Sequence, residues 1–293
     1  SKGDQGFARG DTYKDVEDVF GSDFNDTLIG DDGNNLLSGG KGNDTLDGGA
    51  NTGNVIDIAD YSYTGTALSV TLNGTTSSFS NFTVTGGSGD TDTVRNVEGL
   101  IGGSGADTII GDSLANYLDG GVGNDSLVGG SSDSLFGGAG NDMLKLDWSS
   151  INYKIDGGTG TDTVSFAGST SDISLSGSSF SNLLSNAEYL DFSGTQGSVS
   201  LSLGGDDVQK LLTGSSSSSS YAGVLDVRFD TSGDSLSLLN NGSYSYWNSS
   251  DVNATTGKFN DGTNFSITGS TQQYVYVFDT NHTTLLATLY LHT

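Results

Sequence analysis

Aspartate recurs at one fixed place in a glycine-rich nonapeptide, and this pattern is the strongest chemical feature of the 293-residue sequence. The pattern is G-G-x-G-x-D-x-U-x, where U is a large apolar residue, and complete copies begin at Gly39, Gly102, Gly120, Gly137 and Gly157. Glycine permits tight turns that aim carbonyl oxygens inward, and the sixth-position aspartate adds a carboxylate. A set of ligands made only of oxygen suits a hard cation such as Ca²⁺ better than a transition metal.

The elements that position these carboxylates are predicted to be very short strands, one after each turn. The eighth position of every copy, including degenerate copies from Gly21, Gly30 and Gly111, is apolar and is expected to point between two sheets; the residues are Leu28, Leu37, Leu46, Ile109, Leu118, Leu127, Leu144 and Val164. A glycine-rich linker gives no reason for aspartate and leucine to keep this phase. The repeats therefore predict an all-β fold.

The nonapeptide resembles the calcium-binding repeat of RTX proteins. This resemblance implies a right-handed parallel β-roll in which two nonapeptides form one coil, so that every second turn along the chain stacks on the same edge. Gly21 and Gly39 are separated by two nonapeptides, as are Gly102 and Gly120. Several Ca²⁺ ions are expected between stacked turns.

The resemblance also implies which residues hold calcium: one turn gives its second and fourth carbonyls and its aspartate, and the next gives its first and third carbonyls and its aspartate. Carried over, the first site uses Gly103, Gly105 and Asp107 with Gly120, Val122 and Asp125; the second uses Gly121, Gly123 and Asp125 with Gly137, Ala139 and Asp142; the third uses Ser22, Phe24 and Asp26 with Gly39, Lys41 and Asp44. Asp162 lies in a complete copy whose stacking partner the sequence does not identify. The opposite edge is predicted to bind more weakly, because Asn35 and Asn116 replace aspartate and the repeat at Gly129 is one residue short.

A longer duplication surrounds the repeats: the segment from Asp11 aligns without gaps on the segment from Asp92 through a shared D-T-x-x-x-V-E block. We interpret each block as an irregular turn leading into a roll. The inserts ALSVTL (Ala67 to Leu72) and DISLS (Asp172 to Ser176) alternate as strands do, and we interpret them as edge hairpins. The glutamates of these blocks and of a third echo, Glu17, Glu98 and Glu188, are either structural caps or calcium ligands at the entry of a roll.

The C-terminal third predicts a different kind of β structure. Strands are expected at 224–230, 243–247, 264–268, 273–279 and 285–291, which are β-branched and aromatic and are separated by turn residues. The six serines from Ser215 to Ser220 predict a flexible loop. This region resembles the one that closes many large RTX adhesins beside a type I secretion signal. The domain prediction is an RTX β-roll over 1–193, with repeat blocks 11–49 and 92–165 and inserted hairpins, and an antiparallel β cap over 194–293.

Composition limits the classes of partner. The net charge is −26, which argues against nucleic acid, since a phosphate backbone needs a basic surface, and against anionic lipid. Cysteine is absent, so bound metal is the leading means of stabilising an extracellular chain of this kind. No apolar run is long enough for a transmembrane helix. No signal peptide is visible and the chain begins at Ser1, so we expect a fragment or processed product of a longer protein.

Enzyme chemistry finds little support in the sequence. The motif H-E-x-x-H of zinc proteases is absent. The tetrapeptide G-D-S-L of one esterase family occurs at Ser113 and Ser235, and Asp279 precedes His282 at the spacing of its Asp/His block, but a nucleophile needs a strand-to-helix turn that neither segment predicts. The expectation is a non-enzymatic secreted protein of the cell surface, either an RTX adhesin or a protein of a surface layer or extracellular matrix. Its partners would be calcium, the type I secretion machinery, and either a glycan or peptide ligand or further copies of itself. The alternative is the folding and secretion module of an exported protease, lipase or alginate epimerase.

Overall fold

The computed structural model describes residues 2–3, 17–49, 55–74, 81–85, 90–130, 132–146, 154–166, 173–176, 183–193, 199–204, 211, 224–228, 235–239, 244–248, 265–268, 273–279 and 285–292. β-Strands account for almost all of the regular structure in these residues, which confirms the predicted all-β class. The chain divides into two compact units, Ser1–Leu144 and Lys145–Thr293. The predicted boundary between roll and cap at 193/194 stays a prediction.

The strands of the first unit are short. They are β1 (Lys2–Gly3), β2 (Asp18–Ser22), β3 (Asp26–Ile29), β4 (Leu36–Gly40), β5 (Thr45–Asp47), β6 (Ile58–Asp60), β7 (Ser69–Thr71), β8 (Asn81–Thr85), β9 (Thr91–Arg95), β10 (Gly99–Ile101), β11 (Thr108–Ile110), β12 (Tyr117–Asp119), β13 (Ser126–Gly129), β14 (Ser134–Ala139) and β15 (Met143–Leu146), the last of which spans the boundary. One parallel sheet has the order β2-β4-β6-β10-β12-β14. Except at β7, β8 and β9, successive strands of the chain alternate between this sheet and strands of two others, β1-β3-β5-β9-β8 and β7-β11-β13. This alternation is the pattern of a β-roll.

The coil period follows the nonapeptide. Thr27 pairs with Thr45 and Thr108 pairs with Ser126, and the members of each pair are separated by two nonapeptides, as predicted. Tyr117 pairs with Ser134, which is one position short of that period, because the repeat at Gly129 lacks one residue. The deletion is absorbed in the turn, so the strands on either side of it keep their pairing.

The core is the row of apolar residues at the eighth position of each repeat. All eight of the residues predicted to point between the sheets are at most 1% exposed, which confirms that prediction. Full burial of an aliphatic side chain of this size contributes about 1.5–3 kcal/mol, so a very short strand with one such side chain stays in place only as part of a stack.

The inserts form strands, but their pairing differs from the prediction. The segment Ala67 to Leu72 forms β7, which pairs in parallel with β11 and buries Val70; it is therefore not an edge hairpin. The block from Asp92 is also not an irregular turn at its start, because β9 runs parallel to β5 with Thr93 opposite Thr45. The physical reason is that Asp92 and Thr93 repeat the Asp-Thr step of a nonapeptide, so the strand continues the ladder without a glycine turn. A true hairpin does occur between β8 and β9, which are antiparallel.

The second unit contains longer strands. They are β16 (Ile155–Thr159), β17 (Thr163–Ser165), β18 (Ile173–Ser176), β19 (Leu184–Ser185), β20 (Tyr189–Asp191), β21 (Val199–Gly204), β22 (Val224–Arg228), β23 (Ser235–Leu239), β24 (Tyr244–Asn248), β25 (Phe265–Thr268), β26 (Gln273–Asp279) and β27 (Leu285–His292). Antiparallel pairing is confirmed for β24 with β26, β26 with β27, and β23 with β25. In contrast, β22 pairs in parallel with both β20 and β27, so the parallel arrangement continues into the C-terminal region. Within the segment DISLS, Ile173–Ser176 forms β18, which is parallel to β21 rather than part of an edge hairpin.

The six-serine segment lies outside the described residues. Within the residues described, no helix has the length and apolar character needed to cross a bilayer.

Candidate metal sites

The turn aspartates form ladders along the edges of the roll. Each backbone N–H donates to Oδ1 of the aspartate in the next turn: Asp26 to Asp44 at 2.8 Å, Asp107 to Asp125 at 2.7 Å, and Asp125 to Asp142 at 2.8 Å. The side chains of these aspartates are buried although the turns lie at the edge of the sheets. The repeat therefore places carboxylates one coil apart, at a distance where like charges repel unless a cation or a proton intervenes.

In one class of turn, the second carboxylate oxygen is satisfied within the turn. Oδ2 of Asp26 accepts the N–H of Ser22 at 2.6 Å, and Oδ2 of Asp107 accepts the N–H of Gly103 at 2.8 Å. The asparagines that replace aspartate act in the same way, since Oδ1 of Asn35 accepts the N–H of Asp31 at 2.8 Å. We call these the closed turns.

In a second class, here called the open turns, the second residue is a glycine with positive φ. The residues are Gly40 (92°), Gly121 (90°), Gly138 (101°) and Gly158 (100°). An L side chain rarely adopts this conformation, which explains why the motif needs glycine here. In the open turns that end at Asp44 and Asp125, Oδ2 is buried and makes no hydrogen bond with the part of the chain that is described. The open turn thus leaves one carboxylate oxygen of each of these two aspartates without a donor.

Burial changes the acidity of these groups. Burial, and to a smaller extent the neighbouring Asp142 and Asp107 carboxylates, raise the pKa of Asp125 from 3.8 to about 6, although the hydrogen bond from the Asp107 N–H lowers it. The pKa of Asp44 is likewise raised to about 6, first by burial and then by Asp92 and Asp26. An ionised carboxylate with one buried oxygen that lacks a donor is unfavourable, so these sites favour a bound cation at neutral pH.

The oxygens around the open turns fit a hard cation. A methyl group placed on Gly120 would come within 2.5 Å of Asp125 Oδ2 and 2.6 Å of the Gly137 carbonyl oxygen, so these two oxygens converge on one face of the glycine. The same position at Gly39 faces Asp44 Oδ2. Within the described ranges, no group of three or more His, Cys, Asp or Glu side chains could hold a metal. Because a stacked pair of turns supplies two carboxylates, carbonyl oxygens would have to complete the shell, as they commonly do for Ca²⁺.

The structure brings the sequence-predicted residues together turn by turn. The turns of the first two predicted sites stack through hydrogen bonds from Val122 N–H to the Gly103 carbonyl (2.8 Å) and from Ala139 N–H to the Gly121 carbonyl (2.7 Å). The turns of the third are joined from Lys41 N–H to the Ser22 carbonyl (3.1 Å). These carbonyls already accept one hydrogen bond each and keep a second lone pair. The Lys41 side chain pairs with the exposed Asp23 at 3.0 Å and takes no part in the turn.

Acidic residues that the nonapeptide does not predict also join the ladders, and Asp92, Glu98 and Glu188 are three of them. Oδ1 of Asp92 accepts the N–H of Asp44 at 2.8 Å. Oε2 of Glu98 accepts the N–H of Asp57, and Oε2 of Glu188 accepts the N–H of Asp162. The Asp-Thr step at Asp92 could have identified the first of these. The ligand role of all sequence-predicted residues, Asp162 included, remains a proposal.

A comparison with protein families agrees with this geometry. The model of the RTX calcium-binding nonapeptide repeat (4 copies) matches residues 20–53, 101–133 and 110–144. These segments contain the stacked turns of the first unit, from the ladder of Asp26 and Asp44 to that of Asp107, Asp125 and Asp142. No curated protein matches the chain significantly.

Proposed function

Because this chain belongs to the RTX calcium-binding repeat family, we propose that it is a secreted structural protein of the cell surface that folds when its turns bind Ca²⁺ outside the cell. The observation that carries the proposal is the pair of buried Oδ2 atoms at Asp44 and Asp125, which make no hydrogen bond within the described residues. Ca²⁺ would supply positive charge to these carboxylates. The turns that would hold it are those named above from the resemblance.

The energetics support calcium as a condition of folding. The short strands of the repeats bury one large side chain each, whereas 46 glycines lose more backbone freedom on folding than other residues do. Repulsion along the carboxylate ladders adds to that cost. Metal binding that exists only in the folded state adds its free energy to folding.

A calcium threshold would also couple folding to export. Extracellular calcium modules have Kd values of about 10⁻⁴–10⁻³ M, far above the free calcium concentration of a cytosol. The chain would stay unfolded inside the cell, pass through a type I secretion channel, and fold outside.

Two surface roles fit such a chain. An adhesin would bind a glycan or peptide ligand, whereas a protein of a surface layer or matrix would assemble with further copies of itself when calcium is added. The alternative to both is a module that folds and exports an attached protease, lipase or epimerase. The sequence of the whole gene would distinguish an export module from the two surface roles, because it would encode a catalytic domain next to the roll.

The test combines calcium counting with imaging. Equilibrium dialysis of the full chain with ⁴⁵Ca²⁺ should show several ions bound per chain at millimolar calcium, and a chain that binds none would overturn the proposal. Electron microscopy of the same samples with calcium and with chelator then distinguishes the roles: ordered sheets or filaments that need calcium support a layer or matrix protein, and dispersed particles in both samples favour an adhesin or an export module.

A further inference from the structure

Two short segments, Asn96–Glu98 and Asn186–Glu188, occupy places in the roll where a glycine turn would be expected. The first connects β9 to β10 and the second connects β19 to β20. Each has the form Asn-x-Glu with a buried apolar residue in the middle, Val97 or Ala187. They belong to different compact units, so the same device occurs twice in the chain.

The glutamate of each segment accepts the backbone hydrogen bond that an aspartate accepts in the nonapeptide turns. Glu98 Oε2 accepts the N–H of Asp57 at 3.0 Å, and Glu188 Oε2 accepts the N–H of Asp162 at 2.8 Å. In both segments a second hydrogen bond runs in the opposite direction: Glu98 N–H donates to the Asp57 carbonyl, and Glu188 N–H donates to the Asp162 carbonyl. The bond from backbone to carboxylate is the same kind that joins Asp107 to Asp125.

The asparagine of each segment has a positive φ like the second glycine of an open turn, while its carbonyl oxygen lies where that of the first glycine does. Asn96 and Asn186 have φ values of 54° and 52°, in the left-handed region that asparagine tolerates better than most residues. A methyl group on Gly157 would clash with the Asn186 carbonyl oxygen and lie 2.8 Å from Asp162 Oδ2. On Gly48 it would clash with the Asn96 carbonyl oxygen and lie 2.5 Å from Asp57 Oδ2. The same two kinds of oxygen, one carbonyl and one carboxylate, converge on Gly120 in the open turns.

Burial distinguishes these glutamates from ordinary surface acids. Asp57 and Asp162 are fully buried, Glu98 is 7% exposed and Glu188 is 5% exposed. Oε1 of Glu188 makes no hydrogen bond with the part of the chain that the structure describes. A buried, ionised carboxylate with an oxygen that lacks a donor favours a bound cation or a proton, because burial disfavours the charged form.

The glutamate keeps the ladder position of a turn aspartate although its turn is shorter. In a nonapeptide turn, the aspartate is the fifth residue after the first glycine, as Asp44 is after Gly39, whereas Glu188 is the second residue after Asn186. The register is nevertheless the same, because Tyr189 pairs with Thr163 as Ser126 pairs with Thr108. Glu188 therefore stands opposite Asp162 as Asp125 stands opposite Asp107.

We propose that the Asn-x-Glu segments are shortened calcium-binding turns, which form mixed sites from Asp57 with Glu98 and from Asp162 with Glu188. This inference rests on the proposed calcium function and adds two sites outside the nonapeptide pattern. The ligand is a hard divalent cation of the size of Ca²⁺, because every group on offer is a carboxylate or carbonyl oxygen.

The test uses Glu98→Gln and Glu188→Gln in the full chain. Glutamine keeps the size and the acceptor of the ladder hydrogen bond but removes the charge. Bound calcium is counted by equilibrium dialysis at saturating calcium, and each variant should lose one ion relative to the wild type while the double variant loses two. Glu17→Gln is the matched control, since Glu17 has the same place in the D-T-x-x-x-V-E block but is exposed, and it should keep the wild-type count.

A purely structural glutamate gives a different result. The free energy of unfolding in urea, measured at several calcium concentrations, rises with log[Ca²⁺] with a slope set by the number of ions bound on folding. Loss of a site lowers that slope by one ion in Glu188→Gln, even if the variant is destabilised. A wild-type slope and a wild-type count would overturn the inference and leave the proposed function intact, whereas a wild-type chain that binds no calcium would overturn both.

Discussion

The backbone N–H of Asp107 donates a 2.7 Å hydrogen bond to Oδ1 of Asp125, across the 18 residues of one coil. The N–H of Asp125 in turn donates to Oδ1 of Asp142 at 2.8 Å, across 17 residues. Asp125 is therefore the middle member of a ladder of three carboxylates. Its own Oδ2 makes no hydrogen bond within the described residues, so a cation shared with the neighbouring turns would supply the missing partner.

Replacement of Asp125 should accordingly lower the bound calcium and the thermal stability more than replacement of Asp162. Asp125→Ala removes a carboxylate shared by two proposed sites and leaves the buried Asp107 N–H without its acceptor, which alone destabilises by about 1–3 kcal/mol. Asp162→Ala removes a member of one proposed site, beside Glu188. Calcium counts and thermal melts of the two variants, recorded side by side at the same calcium concentration, test this order. Equal counts and equal melting temperatures would contradict the proposed stacking of sites.

Glycine in the open turns should not tolerate a side chain. Gly121 has a φ of 90°, and a Cβ there would lie 2.5 Å from the Gly103 carbonyl oxygen, so Gly121→Ala combines backbone strain with a clash. Strain of this kind costs about 1–3 kcal/mol. Gly65→Ala is the control, because the nearest atom to its Cβ would be Ser104 Oγ at 3.7 Å. Urea denaturation in calcium should show a loss for Gly121→Ala and almost no change for Gly65→Ala; the same loss in both variants would argue against the open-turn geometry.

Protonation of the buried carboxylates at low pH should partly replace calcium in stabilising the folded chain. Burial and neighbouring carboxylates raise the pKa of Asp44 and Asp125 to about 6, and burial raises that of Asp133 to about 6, from 3.8. A folded-state pKa above the unfolded value means that the folded chain binds more protons, so the stabilisation is complete below about pH 4 and is lost as the pH rises through 6. In calcium-free buffer, the β signal in circular dichroism should therefore grow as the pH is lowered from 7 to 4.5. Over the same range, the calcium-loaded chain should release calcium as protons compete for its carboxylates. A calcium-free β signal that weakens on acidification would contradict the assignment of these carboxylates.

The sequence predicted the parts of the fold that depend on the spacing of residues within the repeats. The spacing of Leu28 and Leu46 gave both the burial of these residues and the pairing of their strands. The spacing did not distinguish the closed turn at Gly103 from the open turn at Gly121, because both turns have the complete motif. Gly103 forms a closed turn that stacks on the insert at Thr64, where Ser104 N–H donates to the Thr64 carbonyl at 2.9 Å. That contact joins two segments that lie far apart in the chain, and no local pattern encodes it.

The same limit applies to the acidic residues outside the nonapeptides. Asp57 and Glu98 are 41 residues apart, so their hydrogen bond depends on how the intervening insert folds. The D-T-x-x-x-V-E blocks and their echo marked the glutamates as notable but left open whether they are structural caps or calcium ligands. The direction of the C-terminal pairings was likewise open, since alternation in β22 fits a parallel neighbour as well as an antiparallel one.

Ester hydrolysis should not depend on either serine of the G-D-S-L segments. Ser113 lies in an exposed repeat turn and its Oγ is 3.4 Å from the Gly74 carbonyl oxygen, while Ser235 is the first residue of β23. Neither is at a strand-to-helix turn, and His282 lies outside the described residues. Ser113→Ala, Ser235→Ala and the wild type should give the same background rate with short-chain nitrophenyl esters. A rate that falls with one serine would instead support a hydrolase.

The central claim is that calcium binding in the turns provides the free energy that folds the roll. The most direct measurement is far-ultraviolet circular dichroism of the full chain in metal-depleted buffer at pH 7.5, titrated with calcium and, in parallel, with magnesium. We predict a cooperative coil-to-β transition with calcium near millimolar concentrations, and little response to the same concentrations of magnesium, which prefers a rigid octahedral shell and retains its water. A metal-depleted chain that already has the full β spectrum, and a cooperative melt that calcium leaves unmoved, would contradict the claim.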